Sequence, residues 1–417
     1  MRQRVAIIGS GISGLGAAWI LGRHHDVTVF ESEARAGGHA RTAEAFGTAV
    51  DTGFIVCNRR TYPLFIPMLE HLGVPLIPTD MSFSASLGQG DYEYGTRTLP
   101  ALFAQWRRLL DPSHWRMLRD TMAFFKGATA YKDSHLTLGE MVEDMGLGRA
   151  FRDRFLLPIS GAIWSTPTRG MLDFPAAPFV QFFDNHGLLT VASHPQWFTV
   201  EGGSRRYVEA LIKDSNAQIR LADPVSRVIR NADGVHVQSA SGAHIFDRVV
   251  FATHAPQALA LIDAPSPQEH EVLGAFRTQA NRVVLHSDKR FLPQRKAAWS
   301  AWNYVTDARD PLSDAPVSLS YWMNLLQSLE TPQPLIVTLN PERDPEAIHD
   351  ETWLSHPQFD AASHAAQALL PSIQGADRLY FAGAWTRYGF HEDGLLSALR
   401  VAQAMGHDWP LGADPWA

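Results

Sequence analysis

One stretch constrains this chain more than any other: Val5-Ala6-Ile7-Ile8-Gly9-Ser10-Gly11-Ile12-Ser13-Gly14. Four apolar residues suit a strand buried on both faces, as strands of parallel sheets are. Gly-x-Gly-x-x-Gly follows, and Leu15 to Leu21 reads as an apolar helix face. In such a turn Gly9 makes the tight bend, Gly11 lets backbone approach a pyrophosphate, and Gly14 lets the helix lie close on the strand. The helix start, at Ile12 and Ser13, offers unpaired N–H groups to the phosphates. Twenty-two residues after Gly9, a second strand, Val27-Thr28-Val29-Phe30, ends on Glu31 and Ser32. Glu31 is a carboxylate at the distance expected for accepting hydrogen bonds from a ribose diol. The pattern predicts an α/β dinucleotide-binding unit at the front of the chain.

A second signal says which dinucleotide. Arg35-Ala36-Gly37-Gly38-His39 follows Glu31, then Thr42, and Asp51-Thr52-Gly53-Phe54 comes shortly after. A nicotinamide dehydrogenase has no need of a second glycine pair just past its acidic strand end. On these motifs the chain resembles the superfamily of flavin amine oxidases, protoporphyrinogen oxidases and phytoene desaturases. The resemblance implies non-covalently bound FAD, with the backbone and arginine of an Arg-x-Gly-Gly-Arg loop reaching its pyrophosphate. It also implies a Rossmann-type FAD-binding domain (glutathione-reductase-like, second structural group) with a discontinuous α+β substrate domain. His39 stands where the family's second Arg usually stands, so either His39 meets the phosphates or Arg41 substitutes for it.

Composition narrows the rest. At 417 residues, 45% hydrophobic and 19% charged, the chain suits two globular domains. A net charge of −7 argues against a nucleic-acid surface. Cys57, the single cysteine, excludes an internal disulfide and a Cys-cluster metal site, and no metal is expected. No run of about 18 apolar residues is present, and the cofactor strand starts at residue 5. The expectation is a cytoplasmic protein, with peripheral membrane contact open.

Taken in order, 1–58, 195–256 and 371–417 read as the FAD-binding domain, and 59–194 and 257–370 as the substrate domain. From 59 to 194 the pattern is helical. Pro100 to Leu110 and His114 to Ala130 carry apolar residues three and four apart. Thr137-Leu-Gly-Glu140 resembles a capping box. Aromatics recur at Phe155-Leu-Leu-Pro158, at Ala162-Ile-Trp164-Ser-Thr-Pro167 and across Phe179–Phe183, as core or as the wall of an apolar channel. Gly202-Gly203 before a helix marks the return to the FAD domain, where the resemblance puts Val225 at the adenine. A β-meander is expected to end at Ala252-Thr-His254. Between 257 and 370 alternation and apolar runs predict an antiparallel sheet carrying Trp302, Tyr304, Tyr321 and Trp322.

The last signature is Leu379-Tyr-Phe-Ala382-Gly383-Ala-Trp385, followed by Gly389-Phe-His391-Glu-Asp393-Gly394-Leu395. By resemblance the strand passes the FAD phosphates at Gly383, and a helix opening at Asp393, Gly394 and Leu395 points at the flavin pyrimidine edge. A helix N-terminus there stabilises the negative charge of reduced flavin. Ala384 stands where relatives often carry an acid.

Candidates for residues at the flavin are His391, Arg282 and Trp385. In amine oxidases of the superfamily a lysine lies beneath the flavin. Counting from Phe291-Leu292, that position falls on or near Arg282, which stays protonated where a lysine would not. A cage-tyrosine position falls on His391, a residue able to carry a proton near neutral pH. Both departures count against amine oxidation. The Ala-Thr-His and Gly-Phe-His-Glu-Asp-Gly motifs look most like a bacterial branch acting on fatty-acyl chains of lipids. The expected reaction is dehydrogenation of such an apolar small molecule, with hydride passing to flavin N5. Amine oxidation, porphyrinogen or isoprenoid oxidation, a flavin with no catalytic part and a plain nicotinamide dehydrogenase are the alternatives.

Overall fold

Val5, Ala6 and Ile7 are fully buried and Ile8 nearly so. They form the strand Arg4–Ile8, which is enclosed on both faces and therefore needs no alternation of polar and apolar residues. A computed structural model of the chain describes residues 1–164, 168–185, 187–189, 195–308, 312 and 318–417. In it this strand is the middle of a five-stranded parallel sheet. The order is Gln218–Arg220, Asp26–Phe30, Arg4–Ile8, Arg248–Phe251 and Leu379–Phe381. One sheet thus gathers strands from the beginning, middle and end of the chain.

The helix Ile12–Leu21 is buried at every position and packs along the helix His391–Ala404. The approach is close: a Cβ on Gly16 would lie 2.6 Å from Leu395 Cδ1. Burying side chains such as Leu15, Ile20 and Leu21 stabilises the fold by about 1.5–3 kcal/mol each.

Arg248–Phe251 does not complete the expected meander. That three-stranded antiparallel sheet consists of Val225–Asn231, Gly234–Ser239 and Gly242–Phe246. Arg248–Phe251 leaves it to pair with Val5–Ile8, because Val249, Val250 and Phe251 are apolar toward both faces.

A seven-stranded sheet forms the floor of the other half. Its order is Ile348–Gln358, Arg277–His286, Ile336–Leu339, Leu319–Trp322, Trp302–Thr306, Phe83–Leu87 and Tyr92–Gly95. It carries Trp302, Tyr304, Tyr321 and Trp322 as expected. It is antiparallel except where Trp302–Thr306 runs parallel to Phe83–Leu87. The stretch read as helical therefore also supplies a hairpin. Buried serines obscure it: Ser84 donates to Asn303 and Ser86 to Glu93 on one face, which leaves only Phe83, Ala85 and Leu87 as a short apolar face.

Pro100–Leu110 is not one helix but a short turn, Leu99–Leu102, followed by a 3₁₀ segment, Trp106–Leu110. The capping box is present, with Thr137 Oγ1 accepting from Glu140 N and Glu140 Oε2 from Thr137 N. The helices Pro112–Gly127, Leu138–Asp144 and Ala176–Asn185 share a core with the floor sheet built on Phe124, Phe151, Phe179 and Phe183. Residues 165–167, 194 and 317 lie outside the described residues. Among the described residues no helix is long and apolar enough to cross a membrane.

Candidate active site

Two helix N-termini come together at the carboxyl ends of the parallel strands. A Cβ on Gly394 would lie 2.7 Å from Ile12 Cγ2 and 2.9 Å from Ser13 Oγ, so the first turns of Ile12–Leu21 and His391–Ala404 touch. The first intrahelical bonds run from Leu15 N to Gly11 O (2.9 Å) and from Gly394 N to Phe390 O (3.1 Å). The amides of Ile12, Ser13 and Gly14, and of His391, Glu392 and Asp393, therefore have no acceptor within their helices. Gly394 differs from expectation here: its own N–H is bonded, and its part is steric. Leu395 likewise packs against Gly16 and presents no polar group.

The glycine turn divides its work. Gly9 has φ +101°, and a Cβ there would lie 2.7 Å from Ala252 O. A Cβ on Gly14 would lie 1.9 Å from Gly9 O. Around Gly11 a Cβ would meet nothing within 4 Å, although its φ of −66° suits any residue. That open space leaves the bare amides accessible to an anion.

The second glycine loop lies over the first. Gly37 N donates to Ser10 O (3.0 Å), and a Cβ on Gly38 would lie 3.1 Å from Gly11 Cα. Arg35 is tied to Gly38 O (3.0 Å) and pairs with Glu33 (3.1 Å). Glu31 ends its strand nearby. Its carboxylate accepts from Ser10 N, Ser10 Oγ, Ser32 Oγ and Glu33 N at 2.5–3.1 Å. Two of the four donors are hydroxyls, which a diol can displace by rotation. Asp223 N bonds Glu31 O (2.9 Å), bringing half-buried Val225 to the same end.

Three histidines from distant parts of the chain meet beside this loop. The His39 ring lies 6.1 Å from that of His254 and 5.3 Å from that of His356, and Asn281 Nδ2 lies 2.7 Å from His356 Nδ1. Burial, reinforced by the other imidazoles, lowers His39 to about 3 and His356 to about 4; burial lowers His254 as well. All three are neutral at pH 7. His39 Nε2 is shielded from solvent and has no hydrogen-bond partner. Arg41 is engaged elsewhere, gripping Asp350 with both terminal nitrogens.

The three flavin-site candidates occupy three different surroundings. Arg282 pairs with Glu351 (2.9 Å) and Asp344 (2.6 Å). It lies on the opposite face of its strand from Asn281, since successive strand residues alternate. Trp385 is 2% exposed, donates to Thr253 O (3.0 Å) and packs on Phe276, inside the core behind the parallel sheet. It also explains Gly383, whose Cβ would lie 2.1 Å from Trp385 Nε1.

His391 stacks on Phe54 (3.9 Å between centroids) and its Nε2 bonds Tyr207 Oη (2.6 Å). Burial first, and His39 second, lower it to about 3. The expected imidazole titrating near neutrality is absent: this ring is a neutral part of an aromatic stack. Gly53 and Phe54 are fixed from the other side, with Phe54 N donating to His39 O (2.8 Å).

Two more expected cofactor ligands hold backbone instead. Thr42 Oγ1 donates to Asp51 (2.6 Å) and accepts from Arg205 N (3.0 Å), clamping the helix Arg205–Asp214 after Gly202-Gly203. Asp393 accepts from Phe390 N (3.0 Å) and approaches Arg387, and burial raises it to about 6. Glu392, which the sequence reading passed over, anchors Leu64 N, Phe65 N and Trp416 Nε1, and burial raises it to about 7. His356, Asn281 and Tyr207 were also missed. The only signal for Asn281 was strand alternation at Arg282, one residue away.

These features suit a dinucleotide: a cradle open at Gly11, six bare helix-start amides, and one shielded imidazole nitrogen without a partner. Residues 12–406 match the model of the family described as flavin containing amine oxidoreductase. Over 52 residues the chain is 50% identical to the mitochondrial protoporphyrinogen oxidase of Nicotiana tabacum, a match spanning 12% of this chain and 10% of that protein. Over 53 residues it is 47% identical to the peroxisomal N(1)-acetyl-spermine/spermidine oxidase of Bos taurus, again spanning 12% of this chain and 10% of that protein. Among solved structures, the CLA-producing fatty acid isomerase from P. acnes superposes with a TM-score of 0.70 at 18% identity, over 96% of this chain and 98% of that one. Putrescine oxidase bound to putrescine superposes at 0.68 and 15% identity, over 97% and 99%. At such identities the likeness is one of fold. The family match covers nearly the whole chain, so this protein belongs to the flavin-containing amine oxidoreductases, and its cofactor is FAD.

Proposed function

We propose that this protein is an oxidoreductase that dehydrogenates an apolar acyl chain. One observation supports the substrate class: an aromatic cluster that starts at the cofactor-side helix and continues into the buried core. Phe390, the residue before that helix, packs 5.1 Å from Phe182, which meets Phe183, and Phe183 stacks on Phe179. Trp302, Tyr304 and Tyr321 join the same cluster. Its partly exposed members, Phe390, Trp302 and Tyr321, offer hydrocarbon an apolar surface and an ammonium no counter-charge. The strand position facing the histidines is Asn281, a neutral amide beside Arg282, on or near which the resemblance to amine oxidases puts a lysine.

In this reading Glu31 holds the ribose, and the amides of Ile12, Ser13 and Gly14 hold the diphosphate between Gly11 and the Gly37-Gly38 loop. His39 flanks that loop as a neutral ring whose Nε2 has no partner within the protein. The amides of His391, Glu392 and Asp393 favour negative charge at the flavin edge. Bound FAD supplies the two-electron acceptor for a hydride leaving a substrate carbon. His391, Phe54 and Tyr207 give the site a rigid, water-excluding side.

The test is anaerobic mixing of the yellow holoprotein with linoleate, putrescine or a porphyrinogen, following flavin absorbance. Bleaching by the fatty acid alone supports the proposal. Faster bleaching by putrescine or porphyrinogen refutes the substrate class, and a flavin that no substrate reduces refutes catalysis.

A further inference from the structure

Nearly half of the large apolar side chains that the described residues expose lie close together along the chain. Of thirteen such residues among those described, Leu99, Trp106, Leu109, Leu110, Trp115 and Met122 fall within one stretch of 24 positions, at 50–80% exposure. Monomeric proteins expose concentrations of this kind where they meet a partner or a membrane.

The geometry gathers them. Trp115 Nε1 donates to Leu109 O (2.9 Å), locking the 3₁₀ segment Trp106–Leu110 against the helix Pro112–Gly127. Between them runs an open groove of about 510 Å³ lined by Leu109, Leu110, Pro112, Trp115, Arg116 and Arg119. The solvent face of the helix consists of residues 112, 115, 116, 119, 122, 123 and 126. It carries Arg116, Arg119 and Lys126 and no carboxylate, on a chain whose net charge is −7. Arg119 pairs with Asp120 beneath it and still stays 73% exposed. Arg107 adds a further exposed cation on the 3₁₀ segment.

We propose that this surface docks the protein on an anionic phospholipid bilayer. Trp106, Leu110 and Trp115 enter the interface, and Arg107, Arg116 and Arg119 meet the phosphates. Tryptophan and leucine beside arginine is the composition that interfacial helices use. Charge complementarity selects the bilayer over a second copy of this chain. A two-fold interface would set the same arginines against one another. The proposal does not depend on which substrate the flavin oxidises.

The experiment is co-sedimentation of the holoprotein with vesicles of phosphatidylcholine alone or with 30 mol% phosphatidylglycerol, between about 20 and 300 mM salt. Wild-type protein should pellet with the anionic vesicles at low salt and release as salt rises. Arg116→Gln with Arg119→Gln should weaken partitioning about 25-fold, about five-fold per charge. Trp106→Ser with Leu110→Ser should weaken it at least ten-fold, with thermal unfolding and flavin spectrum unchanged in both variants. No pelleting at low salt, or equal pelleting of all three proteins, overturns the proposal. So does a solution dimer that Trp106→Ser with Leu110→Ser dissociates.

Discussion

Replacing Gly11 with alanine adds one methyl group where the protein itself has room for it. No atom lies within 4 Å of that Cβ, and the backbone there (φ −66°, ψ −178°) is one that alanine adopts freely. The apoprotein should keep its stability or gain up to about 1 kcal/mol, because alanine restricts the unfolded chain. The cofactor should fare differently. A phosphate oxygen must come within about 2.9 Å of the bare helix-start amides to bond them. A methyl group at Gly11 occupies that path. Losing one charge-assisted hydrogen bond is worth about 1.5–3 kcal/mol, a rise in Kd of about ten- to hundredfold. Gly14→Ala provides the contrast, since its methyl would lie 1.9 Å from Gly9 O, a backbone atom that cannot step aside. That variant should not fold. Thermal unfolding of the apoprotein and quenching of FAD fluorescence on titration measure the two effects separately. Gly11→Ala with wild-type FAD affinity would refute the placement of the diphosphate over Gly11, and a destabilised apoprotein would refute the steric reasoning.

Three further outcomes follow from particular contacts. Glu31→Gln should raise the Kd for FAD at least about ten-fold and also lower apoprotein stability, because an amide NH₂ must face Ser10 N–H or Glu33 N–H. Unchanged affinity in a titration removes Glu31 from the ribose site. His391 sits near 3 when folded and at 6.5 when free, so its contribution to stability is complete above pH 6.5 and lost as pH falls toward 3. His391→Gln should flatten the slope of unfolding free energy between pH 4 and 6 by about 1.4 kcal/mol per pH unit, one proton's worth; urea midpoints showing the wild-type slope would contradict this. Cys57 is buried and its thiol pushed up to about 12 by that burial, so it is a poor nucleophile toward flavin. Acid precipitation should release all yellow colour, and a yellow pellet would show covalent attachment.

The Rossmann-type unit at the front of the chain was legible in the sequence because its parts are local. Gly9, Gly11, Gly14 and Glu31 fall within one strand–turn–helix–strand unit, where chain spacing alone sets the geometry. The same holds for the Thr137–Glu140 cap and, to within two residues, for the helix expected to open at Asp393. What only the tertiary structure decided is which face each long-range partner presents. Arg282 and Asn281 are neighbours in sequence, but the register of Arg277–His286 against Ile348–Gln358 sends one to Glu351 and the other to His356. His39, His254 and His356 are separated by more than a hundred residues at each step and carry no shared motif. Their meeting, and the burial that keeps them neutral, depends on three elements packing at once. His391 shows the limit of local pattern: the motif sets it in the loop three residues before Gly394, whereas the folded chain starts the last helix at His391 itself. Its neutrality followed from Phe54 and Tyr207, which only the folded chain brings against it. Spacing along the chain sets backbone geometry over a turn or two, whereas desolvation and side-chain facing are sums over neighbours that the chain does not place side by side.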